Sequence, residues 1–140
     1  MSHAVLFLFI RDEKKRLRTI LRSNAFHAGL VLRYLKIETF EDEAPTLKGK
    51  LIVCNHMSYL DLMILAAHFR GVFVTSIDMG QKFFLGTMCE IGGSIFVERR
   101  NRSRVSADVS QIELALCDKT NVFLFPEGTS SDGRAVLPFK

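Results

Sequence analysis

The sequence predicts an α/β domain built on a largely parallel sheet flanked by helices, preceded by an N-terminal amphipathic helical element. Three observations predict it. Short apolar runs at 51–54, 72–76, 94–97 and 122–125 alternate with helix-patterned segments, the order that βαβ units produce. Polar clusters at 55–61, 98–104 and 126–132 follow three of those runs, and ligands of such sheets gather beyond the carboxyl ends of strands. Apolar residues make up 48% of the 140, enough for the core of one domain.

Residues 1–48 are the first part, a helical element that can associate with a membrane. The apolar run at 4–10 is far short of the roughly 20 residues a spanning helix needs. It has no positive n-region and no small-residue cleavage site, so it does not read as a signal peptide. It is a shallow anchor, the end of a longer segment, or core. Residues 14–36 read as a helix, because Leu17, Leu21, Ala25, Ala28, Leu32 and Leu35 recur at three- and four-residue steps. That face either lies in a bilayer interface or packs on the domain. The formal net charge of +4 is concentrated here. Arg11, Lys14, Lys15, Arg16, Arg18 and Arg22 stand against Asp12 and Glu13, leaving the remainder of the chain balanced. Such a patch favours anionic surfaces, or is a solvated helix face. Residues 39–50, with Pro45 and Gly49, read as a connector.

Residues 49–140 are the second part, the αβ domain. The run 51–54 suits a buried strand, 60–69 a helix, and 72–76 a second strand. Residues 79–91 read as one helix despite Gly80 and Gly86. Residues 94–97 are strand-like, 105–117 helical, and 122–125 a last strand.

In the first polar cluster His56 directly follows a strand and Asp61 stands five residues on. Activating a hydroxyl needs a base, and imidazole titrates near neutrality. A carboxylate on one ring nitrogen leaves the other free to accept the proton. The same residues have a structural reading: Ser58-x-x-Asp61 resembles a capping box for the next helix, and His56 is then a hydrogen-bonded strand-end residue. No serine, threonine or cysteine sits in a nucleophile elbow, and Cys54 belongs to an apolar strand. The base is therefore expected to activate the acceptor itself, without a covalent intermediate on the enzyme.

The second cluster places Arg99, Arg100, Arg102 and Arg104 after a strand, either as a bidentate phosphate site or as a solvated loop pairing with Glu98. In the third, Pro126 and Gly128 define a turn. There Glu127, Thr129, Ser130 and Ser131 can hold a polar ligand, and backbone amides can form an anion nest. Cys54, Cys89 and Cys117 are odd in number and widely spaced, so neither a zinc site nor a disulfide framework is indicated. A reducing, cytosol-facing environment is the default. The basic patch has no aromatic-interleaved platform, so nucleic acid is not an expected partner.

Taken together, these residues resemble the glycerolipid (1-acylglycerol-3-phosphate) acyltransferase family over about residues 50–140. Asn55-His56-x4-Asp61 matches the family's NHxxxxD motif. Residues 93–99 resemble its second block, with Glu98 where aspartate is usual. Phe125-Pro126-Glu127-Gly128-Thr129 matches its FPEGT block, and Leu137-Pro138-Phe139-Lys140 resembles what commonly follows. The resemblance implies that His56 is the general base and Asp61 its orienter. It implies that Arg99, Glu127, Gly128 and Thr129 bind the acceptor's phosphate and glycerol region. The donor would be acyl-CoA or acyl-carrier protein, the acceptor a lysophospholipid, with no cofactor and no metal in the chemistry. It further implies a peripheral or monotopic place on the cytoplasmic face of the cell membrane, with the N-terminal helix dipping into one leaflet. The family continues with a helix and a strand carrying a fourth, proline-containing motif. That motif has no counterpart here, so the αβ domain is expected to be C-terminally incomplete. The competing expectations are a membrane-binding fragment without turnover, or an acyltransferase acting on another lyso-lipid.

Overall fold

Helix α1 (Glu13–Tyr34) begins where the Asp12 carboxylate accepts the Lys15 N–H at 3.1 Å, and its basic last-turn residue is Arg33. The computed structural model describes residues 11–39, 48–98 and 101–140; the run at 4–10 lies outside them. The apolar repeat in α1 is buried at Ile20, Leu21, Ala25, Ala28 and Leu32. The helix packs lengthwise on α2 (Tyr59–Phe69), and Leu17 and Leu21 reach the sheet core. The repeat therefore packs on the domain rather than facing outward. Leu35, expected on the same face, is instead the cap residue and stays half exposed.

Four strands follow the predicted order: β1 (Leu51–Val53), β2 (Gly71–Ser76), β3 (Ile95–Val97) and β4 (Asn121–Leu124). All pairs are parallel, in the spatial order β1-β4-β2-β3. The last strand in sequence is thus inserted between the first two. Central β4 carries Val122 and Phe123 at 0% exposure. Alternation sends Val72, Val74 and Val122 to one face, covered by Leu17 and Leu21 of α1 and by Ile112, Ala115 and Leu116 of α5 (Val105–Cys117). Burying each such side chain contributes roughly 1.5–3 kcal/mol. Phe73 and Phe123, which are in register, project to the other face with ring centroids 4.8 Å apart.

The stretch 79–91, read above as one helix, is two elements, α3 (Ile77–Gly80) and α4 (Phe83–Ile91). The glycines explain the break. A Cβ on Gly86 would stand 2.0 Å from the Gly80 carbonyl oxygen, so the backbones touch where any side chain would hold them apart. A short 3-10 turn (Arg102–Arg104) leads into α5. Strands β1 and β4 end one residue earlier than the sequence predicts: Cys54 still donates its N–H to Leu124 O at 3.2 Å, and Phe125 leaves the sheet.

Buried Asn121, 2% exposed, joins three elements at the sheet's amino end. Its Nδ2 donates to Phe69 O at 2.6 Å and its Oδ1 accepts the Lys50 N–H at 3.2 Å. Replacement with alanine removes the side-chain partner of a part-buried carbonyl and of a backbone N–H. We expect Asn121→Ala to lower the unfolding free energy by roughly 1–3 kcal/mol, seen as a lower urea midpoint at unchanged m.

Candidate active site

The first cluster forms at the carboxyl end of β1. Ser58 caps α2, its Oγ accepting the Leu60 N–H at 3.1 Å, and Asp61 completes the capping box from inside the first turn. A single oxygen, Asp61 Oδ2, accepts from Met57 N–H at 2.7 Å, Ser58 N–H at 2.8 Å and His56 Nδ1 at 2.9 Å. The helix cap and the contact with His56 are therefore both present, and they share one atom. The two side chains are 20% and 23% exposed, so the pair is shielded yet reachable.

Burial alone pushes the Asp61 carboxyl up. The amides of Ser58 and Met57 and the imidazole of His56 outweigh it and hold the carboxyl below its ordinary value. Asp61 thus stays ionised and fixes Nδ1 as the donor nitrogen. Nε2 is then the basic nitrogen, and it has no hydrogen-bond partner among the described residues. Beside the pair, Cys54, Asn55, Asp61, Ile64 and Leu65 line a small cavity of about 180 Å³. Burial, with the nearby Asp61 charge, raises the Cys54 thiol to about 11. At neutral pH it is protonated and a poor nucleophile.

β4 neighbours β1, so the third cluster lies beside the first. The turn closes with Gly128 N–H donating to Phe125 O at 3.1 Å, and Gly128 takes φ +66°, a conformation that glycine adopts without strain. The Phe125 ring stacks on the His56 imidazole, centroids 4.4 Å apart and planes 28° apart. Ser131 N–H donates to His56 O at 2.8 Å. Glu127 is 0% exposed. Its Oε1 accepts the Leu137 N–H at 3.1 Å, while Oε2 has no donor among the described residues. Thr129 is exposed at the rim. The structure thus unites His56, Asp61, Gly128 and Thr129 at one sheet edge, with Glu127 turned inward beneath them.

The second cluster leaves β3, two strands away from β4. Arg99 and Arg100 lie outside the described residues. The preceding Glu98 N–H donates at 3.0 Å to Asp108 Oδ2 on α5, a carboxylate only 7% exposed. Sequence reasoning passed over Asp108, because an acid in a first helical turn reads as a helix-dipole partner. It also missed the Phe125–His56 stack. A strand-end phenylalanine reads as core, and only the strand order brings it to the imidazole.

The family model described as Acyltransferase matches residues 36–140. The chain is 36% identical over 90 residues to the lyso-ornithine lipid O-acyltransferase of Rhizobium meliloti (strain 1021), a match covering 64% of this chain and 31% of that protein. It is 32% identical over 96 residues to the 1-acyl-sn-glycerol-3-phosphate acyltransferase of Neisseria gonorrhoeae, covering 66% and 36%. With the enzyme of that name from Haemophilus influenzae the identity is 26% over 133 residues, covering 84% and 54%. These matches span from just under a third to just over a half of the length of these relatives. The crystal structure of the 1-acyl-sn-glycerophosphate (LPA) acyltransferase PlsC from Thermotoga maritima superposes with a TM-score of 0.68 at 20% identity, over 97% of this chain and 56% of that one. The α/β fold is shared with it.

A carboxyl whose folded value is depressed stabilises fully above its unfolded value, ordinarily about 3.9, and that contribution fades as pH falls through the lower folded value. Asp61→Asn should therefore be less stable than the native chain by about 1–2 kcal/mol above about pH 5, with the gap closing below about pH 4. Urea titrations from about pH 6 to pH 2 read this directly; a gap independent of pH would remove the charge from the account.

Proposed function

This chain belongs to the acyltransferase family, and on that premise we propose that it moves a fatty acyl group from a thioester donor to the hydroxyl of a lysolipid in phospholipid biosynthesis. The donor is acyl-CoA or acyl-carrier protein, and the leading acceptor is 1-acylglycerol-3-phosphate. The observation that carries the reading is the His56 Nδ1 to Asp61 Oδ2 bond at 2.9 Å, with Nε2 left to act. His56 Nε2 takes the acceptor's hydroxyl proton as the oxygen attacks the thioester carbonyl. The resulting imidazolium is stabilised by Asp61 and returns its proton to the departing sulfur. The raised Cys54 thiol supports direct transfer, because it supplies no thiolate for an acyl-enzyme.

Arg99, Gly128 and Thr129 receive the acceptor's phosphate and glycerol. Glu127 holds the turn through Leu137, and its unbonded Oε2 is an acceptor for a polar group of the substrate. The partner surface is a membrane, met peripherally or monotopically from the cytoplasmic side. Its support is on the outward face of α1, where Phe26, Leu30 and Tyr34 are 64%, 50% and 86% exposed beyond the basic first turns. Among the described residues no helix is long and apolar enough to cross a membrane.

A second acceptor is favoured by a specific observation: the lyso-ornithine lipid O-acyltransferase of Rhizobium meliloti shares 36% identity with this chain. A lyso-ornithine lipid carries no phosphate, so Arg99 would then face a different headgroup. Thiol release, followed with each acceptor in turn, separates the two. His56→Ala should slow acceptor-dependent release by roughly 10²–10⁴-fold. Equal rates in the native chain and His56→Ala would leave a membrane-binding fragment without turnover.

A further inference from the structure

The bond to Asp61 fixes one atom of the His56 ring but not its plane. The ring is joined to the chain at Cγ and hydrogen-bonded at Nδ1, and coupled changes in χ1 and χ2 can keep that one bond while tilting the plane and moving Nε2. A flat neighbour removes this freedom, and Phe125 supplies one, stacked at 4.4 Å and 28°. Phe125 is itself backed. The Phe73 ring lies 6.3 Å from it with planes 10° apart, and Phe73 leans at 4.8 Å on Phe123, which is 0% exposed. A file of rings therefore runs from the fully buried centre of the sheet to the imidazole. The main chain makes a parallel contact, Ser131 N–H to His56 O at 2.8 Å, so the loop after β4 grips His56 at ring and backbone together.

We propose that Phe125, backed by Phe73, is a positioning residue that sets the ring plane of His56 and so the direction in which Nε2 faces. This rests on the reading of His56 as the base. The required property is a flat aromatic face, not apolar volume. Leucine fills the site without replacing it, and tyrosine preserves it.

The test uses the full 140-residue chain and the variants Phe125→Leu, Phe125→Tyr, Phe73→Leu and His56→Ala. The first readout is independent of turnover. The His56 Hε1 resonance, assigned by its loss in His56→Ala, should carry a ring-current shift in the native chain. Phe125→Tyr should keep that shift and Phe125→Leu should abolish it. The second readout is kinetic. Phe125→Leu should lower kcat roughly three- to tenfold while KM for donor and acceptor stays within about twofold, and Phe125→Tyr should restore kcat. A purely structural role would move the thermal midpoint without this split.

If Phe125→Leu does not fold, Phe73→Leu leaves the stack in place without its backing. It should then shift or broaden the same resonance and lower kcat in the same sense. An unmoved Hε1 resonance in the folded variants, or a kcat equal to the native value while His56→Ala is inactive, overturns the proposal. Native-like turnover in His56→Ala defeats the base instead, and the resonance still decides whether Phe125 orients the ring.

Discussion

One carboxylate oxygen ties the fold of this protein to its chemistry. Asp61 Oδ2 receives the N–H groups of Met57 and Ser58 and the Nδ1 of His56. The first two bonds satisfy donors that a helix start leaves open, and the third selects the tautomer of the imidazole. Because one atom does both, the start of α2 and the imidazole cannot move independently. Three donors also keep the group ionised against the burial that would protonate it. A lone surface aspartate beside a histidine would have neither property.

The remainder of the site depends on β4. By lying between β1 and β2, it brings the turn at Pro126–Gly128 beside His56 rather than across the sheet from it. Its two fully buried residues anchor β4 in the core, and Phe125 and Ser131 beyond it contact the imidazole and the backbone carbonyl of His56. The block beyond β3 is held separately, by Asp108 gripping the amide of Glu98. Two buried carboxylates thus each anchor a strand end: Glu127 in the turn after β4 and Asp108 behind the end of β3. A buried acid bonded to backbone N–H groups is an economical brace, since it needs no lysine or arginine brought into the interior.

Helix α1 serves two surfaces. Its inner face joins the sheet core and α2, so the helix is part of the domain and not an appendage. The opposite face exposes Phe26, Leu30 and Tyr34, aromatic and branched groups that a solvated helix has no need of. The basic residues of the first turns precede that stripe in sequence, which grades the helix from cationic to apolar along its length.

Much of this was legible from residue order. Strand and helix periods located four parallel strands, because a buried strand and an amphipathic helix repeat differently whatever surrounds them. The spacing of His56 and Asp61 announced their contact, since a capping turn brings residues five apart together by local geometry alone. The same local logic failed at 79–91. There the break depends on Gly80 and Gly86 touching across two short helices, and a helical repeat does not report such contacts. Sequence likewise left open which way the α1 repeat faced, whether Glu127 met solvent, and what lay against the imidazole. Those depended on β4 inserting between β1 and β2, a pairing among residues some seventy positions apart. Local sequence therefore paired the imidazole with its carboxylate. Only the tertiary structure decided what surrounds them, because burial and strand order arise from packing of the whole chain and not from any one segment of it.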